Sequence, residues 1–278
     1  LGMLVWQDMP SFPDNRKGKW GMYYYGEGED FPATPEARAN YYKEWTEIMN
    51  QVKKFQCIVV WVPFNEAWSQ FDTKEVVAYT KKLDPTRLVN QSSGGNWEEG
   101  VGDILDNHHY PYPAMRMWDK NMINVLGEYG GLGRNVIGHR WFDRDSQTYN
   151  TYTSTKAITD VFVTLAGQIR GMAEGQDYNG DKTAYGAAVY TQTTDVETEV
   201  NGLMTYDREV VKFDEQRLRE AVQGLTSLFG AEIYTGIQGT RPFAARTGDG
   251  ALYDAQGRRI QSPVRGLNIV RYPDGTSR

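Results

Sequence analysis

The stretch Ile58-Val59-Val60-Trp61-Val62-Pro63-Phe64-Asn65-Glu66-Ala67-Trp68 is an unbroken apolar run that stops at an amide and a carboxylate. Apolar residues in succession, rather than in alternation, predict a strand covered on both faces, as in a parallel α/β sheet. Ligands of such sheets sit beyond the carboxyl ends of the strands, which is where Asn65 and Glu66 emerge. The stretch Ile123-Asn124-Val125-Leu126-Gly127-Glu128-Tyr129-Gly130-Gly131 has the same form: apolar, then acidic, then glycine-rich.

Helices are expected on either side. Thr34 reads as an N-cap, with Pro35 in the first position and Glu36 favouring the helix dipole. Tyr41, Trp45, Ile48, Val52 and Phe55 then recur at helical spacing as a buried stripe. Asp72 with Glu75 outlines a capping box, and the helix behind it, carrying Val76, Tyr79, Thr80 and Leu83, stops before Pro85. Further strands are expected at Met3–Gln7, Arg87–Gln91, Asp103–Asn107, Ile123–Glu128 and Gly186–Tyr190. Two more helices are expected, from Ser154 to Met172 and from Asp214 to Phe229, the last with Leu218, Val222 and Leu225 facing inward. Strand, polar loop and helix in repeated order predict a parallel sheet. Six such strands, against the eight of a closed barrel, give an α/β fold: a (β/α)8 TIM barrel lacking its first two strands, over residues 1–238. The first residue is not Met and falls almost inside a strand, so a longer parent protein is expected. From 239 the composition turns to Gly, Arg, Thr and Asp, and residues 239–278 read as a linker and a small C-terminal β element.

Composition narrows the partners. Hydrophobic residues make up 40% and charged residues 24%, ordinary for a globular chain of 278 residues. A formal net charge of -6 disfavours nucleic acid and anionic membranes. No segment has the length and apolarity of a membrane span, and no signal peptide begins the chain. The 18 Tyr and 8 Trp offer flat apolar faces with polar edges, which suit sugar rings and suit a packed core as well. Cys57 stands alone, which excludes an intramolecular disulfide.

Cleaving a glycosidic bond takes a proton for the leaving oxygen and an electron pair for the anomeric carbon, and two carboxyl groups can supply both. Glu66 and Glu128 are the candidates, with the Asn65 amide placed to hold a sugar hydroxyl. The bland reading of either Glu alone is a surface charge or a cap; it is the pair that makes the case. Trp68 and Trp97 are open to two roles, sugar platform or core. Asp8 is open to substrate contact or loop capping. His108 and His109 could be read as metal ligands, but adjacent strand residues point apart and no second ligand cluster stands beside them, so sugar contact or packing is favoured and no metal or cofactor is expected.

Trp61-Val62-Pro63-Phe64-Asn65-Glu66-Ala67-Trp68 together with Gly127-Glu128-Tyr129-Gly130-Gly131 resembles the catalytic barrel of glycoside hydrolase family 2, which contains β-galactosidases, β-mannosidases and β-glucuronidases. Leu4 to Pro10 looks like its third strand, and Gly186 to Glu197 with Asn201 to Arg208 like its eighth strand and exit. The resemblance implies a retaining exo-β-glycosidase, β-galactosidase-like, acting on a β-linked oligo- or polysaccharide by double displacement without a cofactor. It makes Glu66 the general acid/base, Glu128 the nucleophile and Tyr110 the hydrogen-bond partner of the nucleophile, with the carboxyl groups about 5 Å apart. The candidate substrate-binding residues are Asn65, Trp68, His108, His109, Tyr110, Asp8 and Gln192. In place of the family's eighth-strand Trp stands Tyr190 or Gln192. The family's amino-terminal domains, partners in building the sugar pocket, are not in this stretch of chain, so the fragment itself is open to being inactive. The competing expectations are a non-catalytic carbohydrate-binding barrel fragment and a metal-dependent hydrolase. Leu252 to Arg259 with Arg265 to Arg271 resembles the carboxy-terminal sorting element of secreted Bacteroidetes proteins, implying an extracellular or cell-surface location; its bland reading is a plain hairpin.

Overall fold

In a computed structural model of the chain, the described residues are 3–12, 25–146, 148–178, 180–226, 251–254, 259–260 and 268–271. Strand β1 (Val5–Asp8) leads to helix α1 (Pro35–Val52), strand β2 (Ile58–Val62), helix α2 (Thr73–Leu83), the short strand β3 (Leu88–Val89), and strands β4 (Ile104–His109) and β5 (Ile123–Gly130). A small parallel pair follows, β6 (Leu132–Gly133) with β7 (Asn150–Thr151). Then come helix α3 (Thr155–Glu174), the antiparallel pair β8 (Gln176–Tyr178) and β9 (Asp181–Thr183), strand β10 (Ala187–Thr191) and helix α4 (Glu215–Thr226).

The main strands pair in parallel and in chain order, β1-β2-β3 and β4-β5-β10. A parallel bridge between Asn90 and Ile104 joins the two runs. Val60, Val62, Ile104 and Val125 form one buried cluster, and Trp6 of β1 and Ala187 of β10 pack against it. The two ends of the run therefore share one inner cluster, which requires the sheet to curl as a barrel wall does. On the outer face, Trp61 and Val89 pack with Tyr41, Trp45 and Met49 of α1 and Val76 and Val77 of α2. Leu126 and Tyr129 pack with Ile158, Phe162, Leu165 and Ile169 of α3. Burial on both faces is why β2 reads as a continuous apolar run. Each fully buried aliphatic side chain contributes about 1.5–3 kcal/mol.

Thr34 caps α1 by accepting from the Ala37 N–H, and Ser154 caps α3 by accepting from the Ala157 N–H. Other expectations are corrected. Asp72 makes no side-chain cap for α2; its own backbone is left-handed (φ 40°) and its carboxylate pairs with Arg38 instead. Phe55 lies beyond the end of α1 and is 51% exposed, and the third buried position of that helix is Met49. Trp97 is buried with Leu105 and Met117, so it is core and not a sugar platform. Leu218 and Leu225 of α4 pack half-buried against the cluster of Leu126, Phe162 and Leu165, as expected, but Val222 is exposed, and the three line an open apolar groove of about 510 Å³ beside α3 and β10. The expected end of the last helix at Phe229, the linker 239–250 and the turns at 255–257 and 274–275 lie outside the described residues. Among the described residues no helix is long and apolar enough to cross a membrane.

The chain divides into two compact units, Leu4–Ala231 and a second one containing Glu232–Arg278. In the second unit, β11 (Ala251–Asp254) pairs antiparallel with β12 (Arg259–Ile260) and with β13 (Asn268–Arg271).

One polar hub ties the α2–β3 turn to β2. Asp84 accepts from Trp61 Nε1 at 3.0 Å, Arg87 Nη1 at 2.5 Å and Thr86 N at 2.9 Å. Arg87 also donates to the Ile58 carbonyl and lies over the Trp61 ring. Burial raises the Asp84 pKa, but the donors from Thr86, Arg87 and Trp61 outweigh it and bring it down to about 2. Asp84→Ala would leave the Arg87 charge and the Trp61 N–H without their acceptor, and is expected to cost about 3 kcal/mol in urea unfolding. A depressed folded pKa gives stability that is present above the unfolded value and lost as pH falls through about 2, so the variant's deficit should shrink toward acid pH. A deficit independent of pH would contradict this account.

Candidate active site

The loops at the carboxyl ends of β2, β3, β4 and β5 converge on two glutamates. Glu66 follows β2 in a strained loop: Glu66, Ala67 and Ser69 all have positive φ (49°, 60° and 52°), a region that L-residues rarely occupy. The loop is held from below. The Glu66 N–H donates to the Ser93 carbonyl at 2.7 Å. The buried Gln70 amide donates to Thr73 Oγ1 and the Asn96 carbonyl, and accepts from Ser92 Oγ and Asn96 N.

Glu128 reaches the site through an irregularity in β5. Residues 126 and 128 of a regular strand face the same side, and Leu126 packs on α3 outside the sheet. Pairing with β4 runs Asn107 to Leu126 and then His108 to Glu128, so Gly127 is the extra residue of a bulge. The bulge turns Glu128 to the inner face. Gly127 is required by space as well: a Cβ there would lie 2.1 Å from the Asp106 carboxylate.

Between the glutamates lies His108, whose side chain is 2% exposed. Its Nδ1 is 3.0 Å from Glu66 Oε1 and 3.6 Å from Glu128 Oε1. Its Nε2 is 2.8 Å from Ser93 Oγ, and Ser93 Oγ donates to Asp106 Oδ2 at 2.7 Å. Asp106 is fully buried and also accepts from Asn90 Nδ2 at 2.7 Å and Gly127 N at 2.6 Å. Gly94 (φ 58°) lets the imidazole lie flat against the chain, since a Cβ there would sit 2.3 Å from the ring. Tyr110 donates a short hydrogen bond to Glu128 Oε2, and its ring stacks on Tyr149 with centroids 4.1 Å apart.

The electrostatics divide the groups. Burial pushes Glu128 up to about 6, with Glu66 and Asp106 adding to the rise and His108 and Tyr110 opposing it. Burial disfavours the charged His108, but the hydrogen bond to Glu66 and the charges of Asp106, Glu128 and Glu66 outweigh it and raise it to about 9. Asp8, at the end of β1, is raised to about 6 by lost hydration on its protein-facing side and then by the Asp106 charge, against the pull of His108. Burial pushes Tyr110 well above the usual phenol range, and the Glu128 charge and hydrogen bond add to this, so it stays a donor.

Glu66, His108 and Glu128 each offer an atom within 4.8 Å of the others, the dimension of a metal site, as do His139, Asp207 and Glu209 elsewhere. In the first group, hydrogen bonds account for both imidazole nitrogens. His109 turns away, its Nδ1 2.6 Å from the Tyr112 carbonyl, so the two adjacent histidines do not share a centre. Gln192 donates to Glu199 Oε2 and Asn201 Oδ1. Asn65 and Trp68 are half-buried in the loop with Glu66. Reading the sequence missed Ser93, Asp106 and Tyr149. Asp106 had a signal: it stands two residues before His108 and shares its face of β4. Ser93 and Tyr149 lie in stretches without period and carried none.

The profile of the glycosyl hydrolases family 2 TIM barrel domain matches residues 25–225. The chain belongs to glycosyl hydrolase family 2. Its family-2 barrel also resembles two solved structures. One is the β-D-glucuronidase from Dictyoglomus thermophilum, with 12% identity over 70% of this chain and 36% of that one and a TM-score of 0.47. The other is the FMN-binding β-glucuronidase from Facaelibacterium prausnitzii L2-6, with 17% identity over 76% of this chain and 33% of that one and a TM-score of 0.45. The chain thus matches about a third of the length of each. No curated protein matches the sequence.

Gly127→Ala would drive a methyl group into the Asp106 carboxylate, and is expected to lower stability by about 1–3 kcal/mol, read as a fall in the thermal midpoint. An unchanged midpoint would show that the close approach at the bulge is not needed.

Proposed function

We propose that this protein hydrolyses β-linked glycosides with retention of configuration, Glu128 acting as nucleophile and Glu66 as general acid/base. The observation that carries the reading is the approach of the two carboxyl groups, with oxygens within 4.8 Å of each other in a family-2 barrel. Retaining enzymes hold theirs about 5–5.5 Å apart, whereas inverting enzymes leave room for a water. The hydrogen bond from Tyr110 supports Glu128 as the ionised partner, because it aims one oxygen and leaves the other free to attack.

In the first step Glu128 bonds to the anomeric carbon while Glu66 protonates the departing oxygen. In the second, Glu66 takes a proton from water as the water displaces Glu128. The substrate class is a β-linked glycan. A β-galactoside is the expectation carried from the resemblance, and a panel of aryl β-glycosides on the full-length protein decides the sugar.

Glu128→Gln in the full-length protein is expected to lower turnover of the cleaved aryl β-glycoside by about 10³-fold or more, and Glu66→Gln by about 10²-fold or more. Unchanged turnover in both would rule out the two-carboxylate mechanism. Proton NMR should find the β anomer first; the α anomer would overturn retention. Rates that fall with a chelator would favour a metal hydrolase, and binding without turnover a non-catalytic barrel.

Glu128 attacks only when ionised. With its pKa at about 6, kcat/KM should rise as pH passes upward through about 6. An acid limb near the usual carboxylate value would mean that burial does not tune this group.

A further inference from the structure

The hydrogen bonds around His108 fix where its protons sit. A hydroxyl has one proton, and that of Ser93 is given to the Asp106 carboxylate at 2.7 Å. Burial raises the Asp106 pKa, and the His108 charge with the donors Ser93, Asn90 and Gly127 N opposes the rise. Held as a carboxylate by these partners, Asp106 is acceptor-only, receiving Ser93 Oγ, Asn90 Nδ2 and Gly127 N. Ser93 Oγ can therefore only accept from the imidazole, so His108 Nε2 carries a hydrogen and donates across the 2.8 Å contact. That leaves Nδ1 as the nitrogen that titrates, and Nδ1 faces Glu66 Oε1 at 3.0 Å.

Two arrangements of this contact have the same net charge. One is a neutral imidazole accepting from a protonated Glu66; the other is an imidazolium donating to its carboxylate. Water around Glu66 favours the ion pair. Substrate that displaces the water favours the neutral pair, because separated charges are costly in a dry site.

We propose that the proton Glu66 delivers to the leaving oxygen is held in the Nδ1–Oε1 hydrogen bond with His108, and that Ser93 and Asp106 keep His108 protonated at Nε2 so that this bond can hold it. The proposal rests on the glycosidase reading. His108 acts through Glu66, which makes it a positioning residue. As the bond from anomeric carbon to leaving oxygen breaks, the proton passes from Oε1 to that oxygen, and Glu128 supplies the electron pair to the carbon. Glu66 is then a carboxylate facing the bare Nδ1 of a neutral imidazole. Glu66 then takes the proton of the incoming water, and this restores the pair.

The groups facing His108 agree with this role. Glu66 follows β2, Ser93 and Gly94 follow β3, Asp106 shares β4 and Glu128 comes from β5, with Asp8 of β1 in electrostatic reach. Its carboxylates hold the His108 proton to about pH 9, so the alkaline limb of activity belongs there.

The test uses the full-length protein with ¹⁵N-labelled histidine, phenyl and 2,4-dinitrophenyl β-glycosides of the sugar it cleaves, and the variants Ser93→Ala and Asp106→Asn. The three histidines of this chain are assigned by replacing His109 and His139. In the wild type, Nε2 should stay protonated throughout and Nδ1 should titrate in the alkaline range. In Ser93→Ala, Nδ1 should titrate at least one pH unit lower and the alkaline limb should move with it. The loss of kcat/KM should be about tenfold or more greater for the phenyl glycoside, whose leaving group needs the proton, than for the dinitrophenyl glycoside, whose leaving group does not. Asp106→Asn removes a negative charge that holds the His108 proton, and should lower the Nδ1 titration in the same direction with the same selective loss. A neutral wild-type imidazole protonated at Nδ1, or equal losses on both glycosides, would overturn the proposal. If the wild type cleaves no aryl glycoside while the ¹⁵N signals are as expected, the glycosidase reading falls and the shared proton stands.

Discussion

Asp106 carries a carboxylate that water does not reach, and the inner face of the sheet is arranged to satisfy it. Leaving such a charge unpaired costs several kcal/mol. Its three donors come from two separate pieces of chain: Asn90 and Ser93 after β3, and the backbone of Gly127 in β5. Meeting all three fixes β3, β4 and β5 against one another. It also calls for the bulge at Gly127, because only there can a backbone N–H turn inward while the Cα approaches the carboxylate. The same bulge brings Glu128 to the inner face. One buried charge thus couples the packing of the sheet to the aim of a glutamate.

The coupling extends to the other glutamate through Ser93 and His108. A buried imidazole between two carboxylates is stable only when each nitrogen has a partner of the right kind, and here the buried Asp106 sets which kind. The strained loop after β2 completes the arrangement by bringing Glu66 to Nδ1. Positive φ at three non-glycine residues is a cost the Gln70 network offsets.

Much of the fold could be read along the chain. The caps at Thr34 and Ser154 stand where the residue types put them, and the apolar runs at Ile58 and Ile123 are strands buried on both faces. The misreadings share a cause. Asp72 has the right residue type for a cap, but its backbone is left-handed and its carboxylate pairs with Arg38. Phe55 and Val222 continue a helical stripe past what covers it, and Trp97 has the polar edge of a sugar platform but sits against Leu105 and Met117. In each case the presence or absence of a neighbour distant in sequence decided against a local preference of about 1 kcal/mol or less.

The two glutamates show the same division. Apolar runs that end in a polar stop mark Glu66 and Glu128 as a candidate pair, because continuous burial and a polar stop are local properties. Their meeting is not local. Alternation along β5 would turn Glu128 to the outer side, and nothing in Gly127-Glu128 announces a bulge. Its cause is the Asp106 carboxylate on the next strand. Nor could the protons of His108 be assigned from residue order, since they follow from a hydroxyl and a carboxylate that meet only when β3 and β4 lie side by side. Local sequence set the elements and the candidate chemistry; long-range satisfaction of one buried charge set the geometry in which that chemistry can act.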